Sequence, residues 1–283
     1  MRVTLGEGST PLLHAPRLSK SLGVELWVKW EAANPTGSFK DRGMALAVSR
    51  AVERGAAGIV CASTGNTAAA AAAYAARAGL RAVIVTSGGA VARSKLAQTR
   101  AAGAELREID GTFNDAHHEA QRLAGEEGLV NVNSINPDRI EGQSSAAREV
   151  LEQLGGAPDV LALPFGGGGN TVAYSRGFGA TQPRFVLGEA ARRSDTFASA
   201  IRIAEPIHGE EVRRVLDRSS GEVVSLSEDE LRSAWQMLAR EEGIFCEPAS
   251  AAGLAAVEAA GLRDVRLVCV VTGHGLKDPD AVR

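Results

Sequence analysis

Lysine is scarce in this chain: 5 lysines stand against 26 arginines. Aromatic residues make up only 4%, cysteine occurs three times, and the first residues hold no apolar run. Each shortage excludes something. Few aromatics argue against a base-stacking platform for nucleic acid. A formal net charge of −3 provides no field for DNA, RNA or an anionic membrane. Three cysteines (Cys61, Cys246 and Cys269) without paired spacing exclude a disulfide framework. They fit small buried hydrophobes in a reducing compartment. Residues 1–7 lack the apolar stretch of a signal peptide, so a cytoplasmic location is expected. Residues 56–76 are uncharged, but Ser63-Thr64-Gly65-Asn66-Thr67 interrupts them. They read as a strand, loop and helix, not a membrane span. His117-His118 has no third ligand at metal-like spacing, so no catalytic metal is expected.

What is present is 45% hydrophobic, mostly alanine, valine and leucine, enough for the core of one large domain or two ordinary ones. Short apolar runs at 25–30, 58–62, 81–86, 105–108, 129–131, 160–163, 184–187 and 266–271 read as strands. Helical periodicity covers 38–54, 67–78, 91–102, 113–126, 139–154 and 227–242. Strand–helix alternation of this kind predicts an α/β fold with mostly parallel sheets covered on both faces. Such sheets bind ligands beyond the carboxyl ends of their strands, where the chain's Gly-, Ser- and Asn-rich strings fall.

In so arginine-rich a chain, Lys40 stands out within Asn34-Pro35-Thr36-Gly37-Ser38-Phe39-Lys40-Asp41-Arg42-Gly43. Lysine, unlike arginine, can lose its proton when desolvated, and can then form a Schiff base with a carbonyl. Asp41 and Arg42 read as helix-start and packing residues. Gly166-Gly167-Gly168-Gly169-Asn170 lies between an apolar strand and a helical segment. Its backbone N–H groups can converge on an anion at a helix start, so it reads as a phosphate cradle and not as a linker. Ser63-Thr64-Gly65-Asn66-Thr67 opens a helix and reads as an ordinary cap, which is compatible with a carboxylate site at the same helix start.

The string around Lys40 resembles the cofactor lysine of the fold-type-II pyridoxal-phosphate enzymes (tryptophan synthase β-like), and of the threonine synthases in particular. The resemblance continues in LGEGSTPL, CASTGN at 61–66, VNSINPDR at 132–139 and PFGGGGN at 164–170. EEGIFCEPASAAGLAA at 241–256 and VVTGHGLKDPD at 270–280 complete it. It implies two three-layer αβα domains with the cofactor, pyridoxal 5'-phosphate, between them. The larger domain is expected over 1–49 and 142–283, and a smaller inserted substrate-binding domain over 50–141.

The resemblance also implies roles. Lys40 carries the cofactor as a Schiff base and moves protons. Gly166, Gly167, Gly168, Gly169 and Asn170 hold the cofactor phosphate, although the family usually has asparagine where this chain has Gly167. Asn66 bonds the ring hydroxyl, and Thr272 meets the pyridine nitrogen. A neutral hydroxyl there leaves that nitrogen largely unprotonated, which favours elimination and replacement over transamination. His274 either touches the ring or is a structural turn residue. Ser63 and Thr64 bind the substrate carboxylate. Thr67, Ser134 and Arg139 grip a substrate phosphate, which a guanidinium with hydroxyl donors suits.

The implied reaction converts O-phospho-L-homoserine and water to L-threonine and phosphate. The implied partner is therefore a small phosphorylated amino acid, and a homodimer is expected. Three alternatives stay open: a relative acting on O-phosphoserine in the manner of cysteate synthase, a threonine or serine dehydratase, and a non-catalytic cofactor-binding paralogue. The last is kept open because the chain is short for the family and condensed over 187–196.

Overall fold

The computed structural model describes residues 2–87 and 96–282. The described chain forms two compact units. One comprises Met1–Glu7 and Asn34–Gln143; the other comprises Gly8–Ala33 and Ser144–Arg283.

The first unit is built on four parallel strands. These are β3 (Gly58–Ala62), β4 (Arg81–Ser87), β5 (Glu105–Ile109) and β6 (Leu129–Asn131), in the order β5-β4-β3-β6. Alternation along β3 and β4 makes the layers. Ile59, Cys61, Ala82 and Ile84 pack on α2 (Lys40–Glu53) and α3 (Asn66–Ala78). Val60, Ala62, Val83 and Val85 pack on α5 (Phe113–Glu126). The alanines of α3 let it lie close to the sheet, with Ala68 to Ala72 all buried. Of the helix expected over 91–102, residues 91–95 lie outside the described residues; α4 (Ala97–Ala101) is its remainder.

The helix expected over 139–154 is two helices, α6 (Pro137–Gln143) and α7 (Ser145–Leu154). The break falls between Gln143 and Ser145, and α6 crosses α2 closely. A Cβ on Gly142 would come within 2.4 Å of the Arg42 carbonyl oxygen, and one on Gly43 within 2.6 Å of that of Arg139. Only glycine on both sides allows this approach.

The second unit is a six-stranded sheet ordered β1-β2-β10-β7-β8-β9. Its strands are β1 (Leu12–His14), β2 (Glu25–Trp30), β7 (Val160–Pro164), β8 (Arg184–Ala190), β9 (Glu222–Leu226) and β10 (Arg266–Val271). Only β1 is antiparallel. One face packs on α1 (Pro16–Leu22), α10 (Glu228–Glu242) and α11 (Ala252–Ala259) through Leu26, Val28, Ala162, Val186, Cys269 and their neighbours. Residues of opposite parity, including Leu161, Leu163, Phe185, Val268 and Val270, are buried on the other face. There Phe178 of α8 (Gly169–Phe178) meets Phe185 edge-on at 6.4 Å. Both units are thus three-layered.

The short strands β1 and β9 and the helices α1, α9 (Gly209–Ser219) and α11 went unread in the sequence, whereas α8 is the helical segment expected after the glycine loop. β9 has two adjacent valines, of which Val223 is exposed, so its sequence does not alternate, and α11 is apolar nearly all round and shows no single apolar face. Among the described residues no helix is long and apolar enough to cross a membrane.

Candidate active site

Lys40 is the first residue of α2. The turn before it is tightly made. Gly37 adopts φ 85°, and its N–H donates to the Asn34 carbonyl at 2.8 Å. The Asp41 carboxylate accepts from the Thr36 N–H at 2.6 Å and the Thr36 hydroxyl at 2.5 Å. Asp41 and Arg42 are both buried, so they are the helix-start and packing residues their position suggested. The Lys40 ammonium lies 4.4 Å from the centroid of the Phe39 ring, and the residue is half-buried. This turn fixes where the Lys40 stem leaves the helix, which a covalent carrier requires.

Ser63, Thr64, Asn66 and Thr67 are half-buried at the carboxyl end of β3. Ser63 Oγ accepts from the Gly65 N–H at 3.1 Å, and α3 starts at Asn66 with no side-chain cap. The first turn of a helix carries the positive end of its dipole, which suits a ligand carboxylate.

Ser134 and Arg139 flank a loop held by asparagines. Asn133 donates from Nδ2 to the Ala62 carbonyl at 2.9 Å and accepts from the Ala62 N–H at 2.9 Å. Asn131 Oδ1 accepts from the Asn133 N–H, and Asn136 bridges the Asp138 N–H and the Asn131 carbonyl. Arg139 is fully buried. Its Nη1 donates to the Val132 carbonyl at 2.7 Å, while Nε and Nη2 have no hydrogen-bond partner among the described residues. Burial pushes its pKa down to about 10, against the pull of Cys61 and Asp41. Cys61 itself is pushed up to about 12 by burial. A buried guanidinium with two idle nitrogens is costly, and an anion is the partner that offsets that cost.

On the second unit the glycine loop follows β7. The Gly168 residue that caps α8 takes φ 87°. A side chain there would be strained, and its Cβ would come within 2.8 Å of Val212 Cγ2. The Gly167 carbonyl accepts from the His208 N–H at 3.0 Å, and Arg193 lies over the Phe165 ring at 4.6 Å. Asn170 Nδ2 and Thr171 Oγ1 are buried without a partner among the described residues. A ten-residue helix whose start offers bare backbone, an amide and a hydroxyl fits a phosphate.

Thr272 follows β10, the neighbour of β7 in the sheet, and is buried. Its hydroxyl lies 3.0 Å from that of Ser250. His274 Nδ1 accepts from the Leu276 N–H at 3.1 Å, and its ring stands edge-on to Phe245. Those contacts give His274 a structural place in the turn.

Lys40, Ser63, Thr64, Asn66, Thr67, Ser134 and Arg139 thus belong to the first unit, and Gly166 to Asn170 and Thr272 to the second. Asn133, Ser250 and the Gly43–Gly142 crossing carried no sequence signal of their role. Each lies inside or beside a string noted for something else. A shallow cleft of about 610 Å³ at the opposite ends of β2 and β10, lined by Glu25, Asp159 and Arg266, contains none of these residues.

Residues 3–273 match the family described as "Pyridoxal-phosphate dependent enzyme". The chain is 46% identical to the threonine synthase of Bacillus sp. (strain ULM1), over 98% of this chain and 86% of that one. It is 45% identical to the threonine synthase of Halalkalibacterium halodurans, over 98% and 85%. In three dimensions it is similar to maize serine racemase, with a TM-score of 0.85 at 24% identity, covering 97% of this chain and 90% of that one.

Proposed function

Because the chain belongs to the pyridoxal-phosphate-dependent enzymes, we propose that it acts as a threonine synthase, converting O-phospho-L-homoserine and water to L-threonine and phosphate. When bound, pyridoxal phosphate supplies an aldehyde for an amine to capture and a ring that takes up negative charge from Cα. Lys40 is the amine that holds it. Gly166 to Gly169 and Asn170 take its phosphate, Asn66 its ring hydroxyl and Thr272 its ring nitrogen.

Released by the incoming amino acid, the Lys40 amine takes the protons from Cα and Cβ. Phosphate leaves from Cγ, one proton is returned there, water adds its hydroxyl at Cβ, and the other proton returns to Cα. Ser63 and Thr64, at the start of α3, hold the substrate carboxylate, so Cα stays in reach of one base throughout. Thr67, Ser134 and Arg139 hold the leaving phosphate.

The observation that carries the substrate class is Arg139. Its two unpartnered nitrogens suit a phosphate dianion, and a dehydratase substrate has none to offer. Solvent does not reach the guanidinium, so the phosphate must displace the side chains that cover it. A reducing compartment, the cytoplasm, suits the three unpaired thiols Cys61, Cys246 and Cys269.

The test is phosphate release from O-phospho-L-homoserine and from O-phospho-L-serine by the parent and Arg139→Met. We expect phosphohomoserine to be the better substrate. Its kcat/KM should fall by roughly 100-fold in the variant, the size of a lost charged contact. Unchanged turnover in Arg139→Met would remove the phosphate role of this residue.

A further inference from the structure

Ser250 lies in a short 3-10 turn, Pro248–Ala251, and is fully buried. Three polar groups surround its hydroxyl. The Gly273 N–H donates to Ser250 Oγ at 3.0 Å. Thr272 Oγ1 lies at 3.0 Å, and the Gly273 carbonyl oxygen at 3.3 Å. That carbonyl already accepts from the Glu247 N–H at 3.0 Å. Ser250 Oγ therefore has one lone pair occupied by a backbone donor, and its own proton has its better acceptor in Thr272 Oγ1.

We infer that Ser250 is a positioning residue that sets the direction of the Thr272 hydroxyl. Donors run in one sense, from the Gly273 N–H to Ser250 Oγ and from the Ser250 O–H to Thr272 Oγ1. The Thr272 proton is then left to point away from Ser250 and to donate to the pyridine nitrogen of the cofactor. The inference rests on the reading of Thr272 as that nitrogen's partner.

The direction matters chemically. A Thr272 hydroxyl that spent its proton on Ser250 could only accept, and would call for a protonated nitrogen. A Thr272 that donates holds the nitrogen neutral. The neutral ring withdraws charge less strongly, as suits elimination and replacement. The local backbone keeps this arrangement rigid. Glu247 N–H bonds the Gly273 carbonyl, Gly275 N–H bonds the Phe245 carbonyl, and Cys246 pairs with His274. Ser250 and Thr272 thus sit on two strands of chain that cannot slide past each other.

The experiment compares the holoenzyme with Ser250→Ala, Thr272→Ala and the double variant. It reads the near-visible absorption and fluorescence of the lysine–cofactor imine, and the affinity of each apoprotein for pyridoxal phosphate. Both single variants should move the imine band in the same direction and weaken cofactor binding roughly fivefold to tenfold, one hydrogen bond's worth. The double variant should match Thr272→Ala, because Ser250 acts only through Thr272.

Additive shifts in the double variant overturn the inference, since Ser250 would then act by another route. An unmoved band in Ser250→Ala beside a moved band in Thr272→Ala also overturns it, while leaving Thr272 at the ring nitrogen. An unmoved band in Thr272→Ala sinks the reading of Thr272 and the inference with it. Should Ser250→Ala yield no holoenzyme, Ser250→Cys carries the same test. Sulfur is a poor donor of similar size, so its band should move, and an unchanged band refutes the assignment.

Discussion

The carboxamide of Asn133 pairs with the backbone of Ala62 as another strand would, giving one hydrogen bond and taking one, each at 2.9 Å. Ala62 is the last residue of β3, and Ser63 follows it. The clamp therefore joins the loop that carries Ser134 to the strand end that carries Ser63 and Thr64. Both bonds are buried, so losing them leaves a backbone donor and acceptor unpaired. Asn133→Ala should cost about 2–4 kcal/mol of stability, read as a lower midpoint in urea unfolding. Asn133→Asp keeps the acceptor but not the donor, and should fall between parent and Ala. In both variants KM for phosphohomoserine should rise more than kcat falls, because the clamp positions binding groups and not the base. Equal midpoints for all three proteins would mean that the clamp contributes nothing.

The crossing of Gly43 and Gly142 brings α2 against α6, and a Cβ on Gly43 would also stand 2.9 Å from Arg139 Nε. Gly43→Ala must displace the Arg139 carbonyl, a backbone atom of α6, as well as the Gln143 and Arg139 side chains. We expect a loss of about 2–3 kcal/mol, as for an overpacked core, with a rise in KM for phosphohomoserine as the guanidinium shifts. Gly125 gives the contrast. It lies within α5 with open space where its Cβ would be, so Gly125→Ala should gain roughly 0.5–1 kcal/mol. Thermal melting of the two variants in opposite directions is the expected result.

The strands of the central sheets were legible because parallel strands buried on both faces read as unbroken apolar runs, as Val160–Pro164 and Arg266–Val271 do. Lys40, Asn66 and the glycine loop were legible as strings of residues with few structural uses in that order. The division of 139–154 was not. Helical periodicity runs through both halves unbroken, so nothing in the sequence marks the break after Gln143. Ser250 was invisible because its partners, Thr272 and Gly273, belong to another segment, and a serine in an alanine-rich stretch has no pattern of its own.

Gly167 and Gly168 are adjacent, yet they should answer substitution differently. Gly168 needs φ 87°, and its Cβ would meet Val212 Cγ2 at 2.8 Å. Gly167 has no such backbone demand, and its Cβ would only touch Ile203 Cδ1 at 3.5 Å. Gly167→Asn should therefore fold normally and bind pyridoxal phosphate at least as tightly as the parent. Gly168→Ala should weaken cofactor binding by roughly tenfold or more, since strain of about 1–3 kcal/mol falls on the cradle itself. Titration of each apoprotein with the cofactor, followed by absorbance, decides the matter. A Gly167→Asn that binds as poorly as Gly168→Ala would show that the cradle depends on bareness at both positions.

Alkaline pH tests the buried thiols. Burial pushes Cys61 and Cys269 up to about 12 and raises Cys246 as well, so all three stay protonated in the folded chain well above pH 9. Unfolded, each ionises near 9.0, as an exposed thiol does. The stability they contribute is complete below about pH 9 and is lost as pH rises toward 12, by up to about 1.4 kcal/mol per pH unit for each thiol. Urea unfolding between about pH 9 and 10 should show stability falling with pH, and Cys61→Ala should make the fall shallower. The variant's own cavity changes the height of the curve but not its slope, so a slope equal to the parent's would place Cys61 in a site where its proton is as easily lost folded as unfolded.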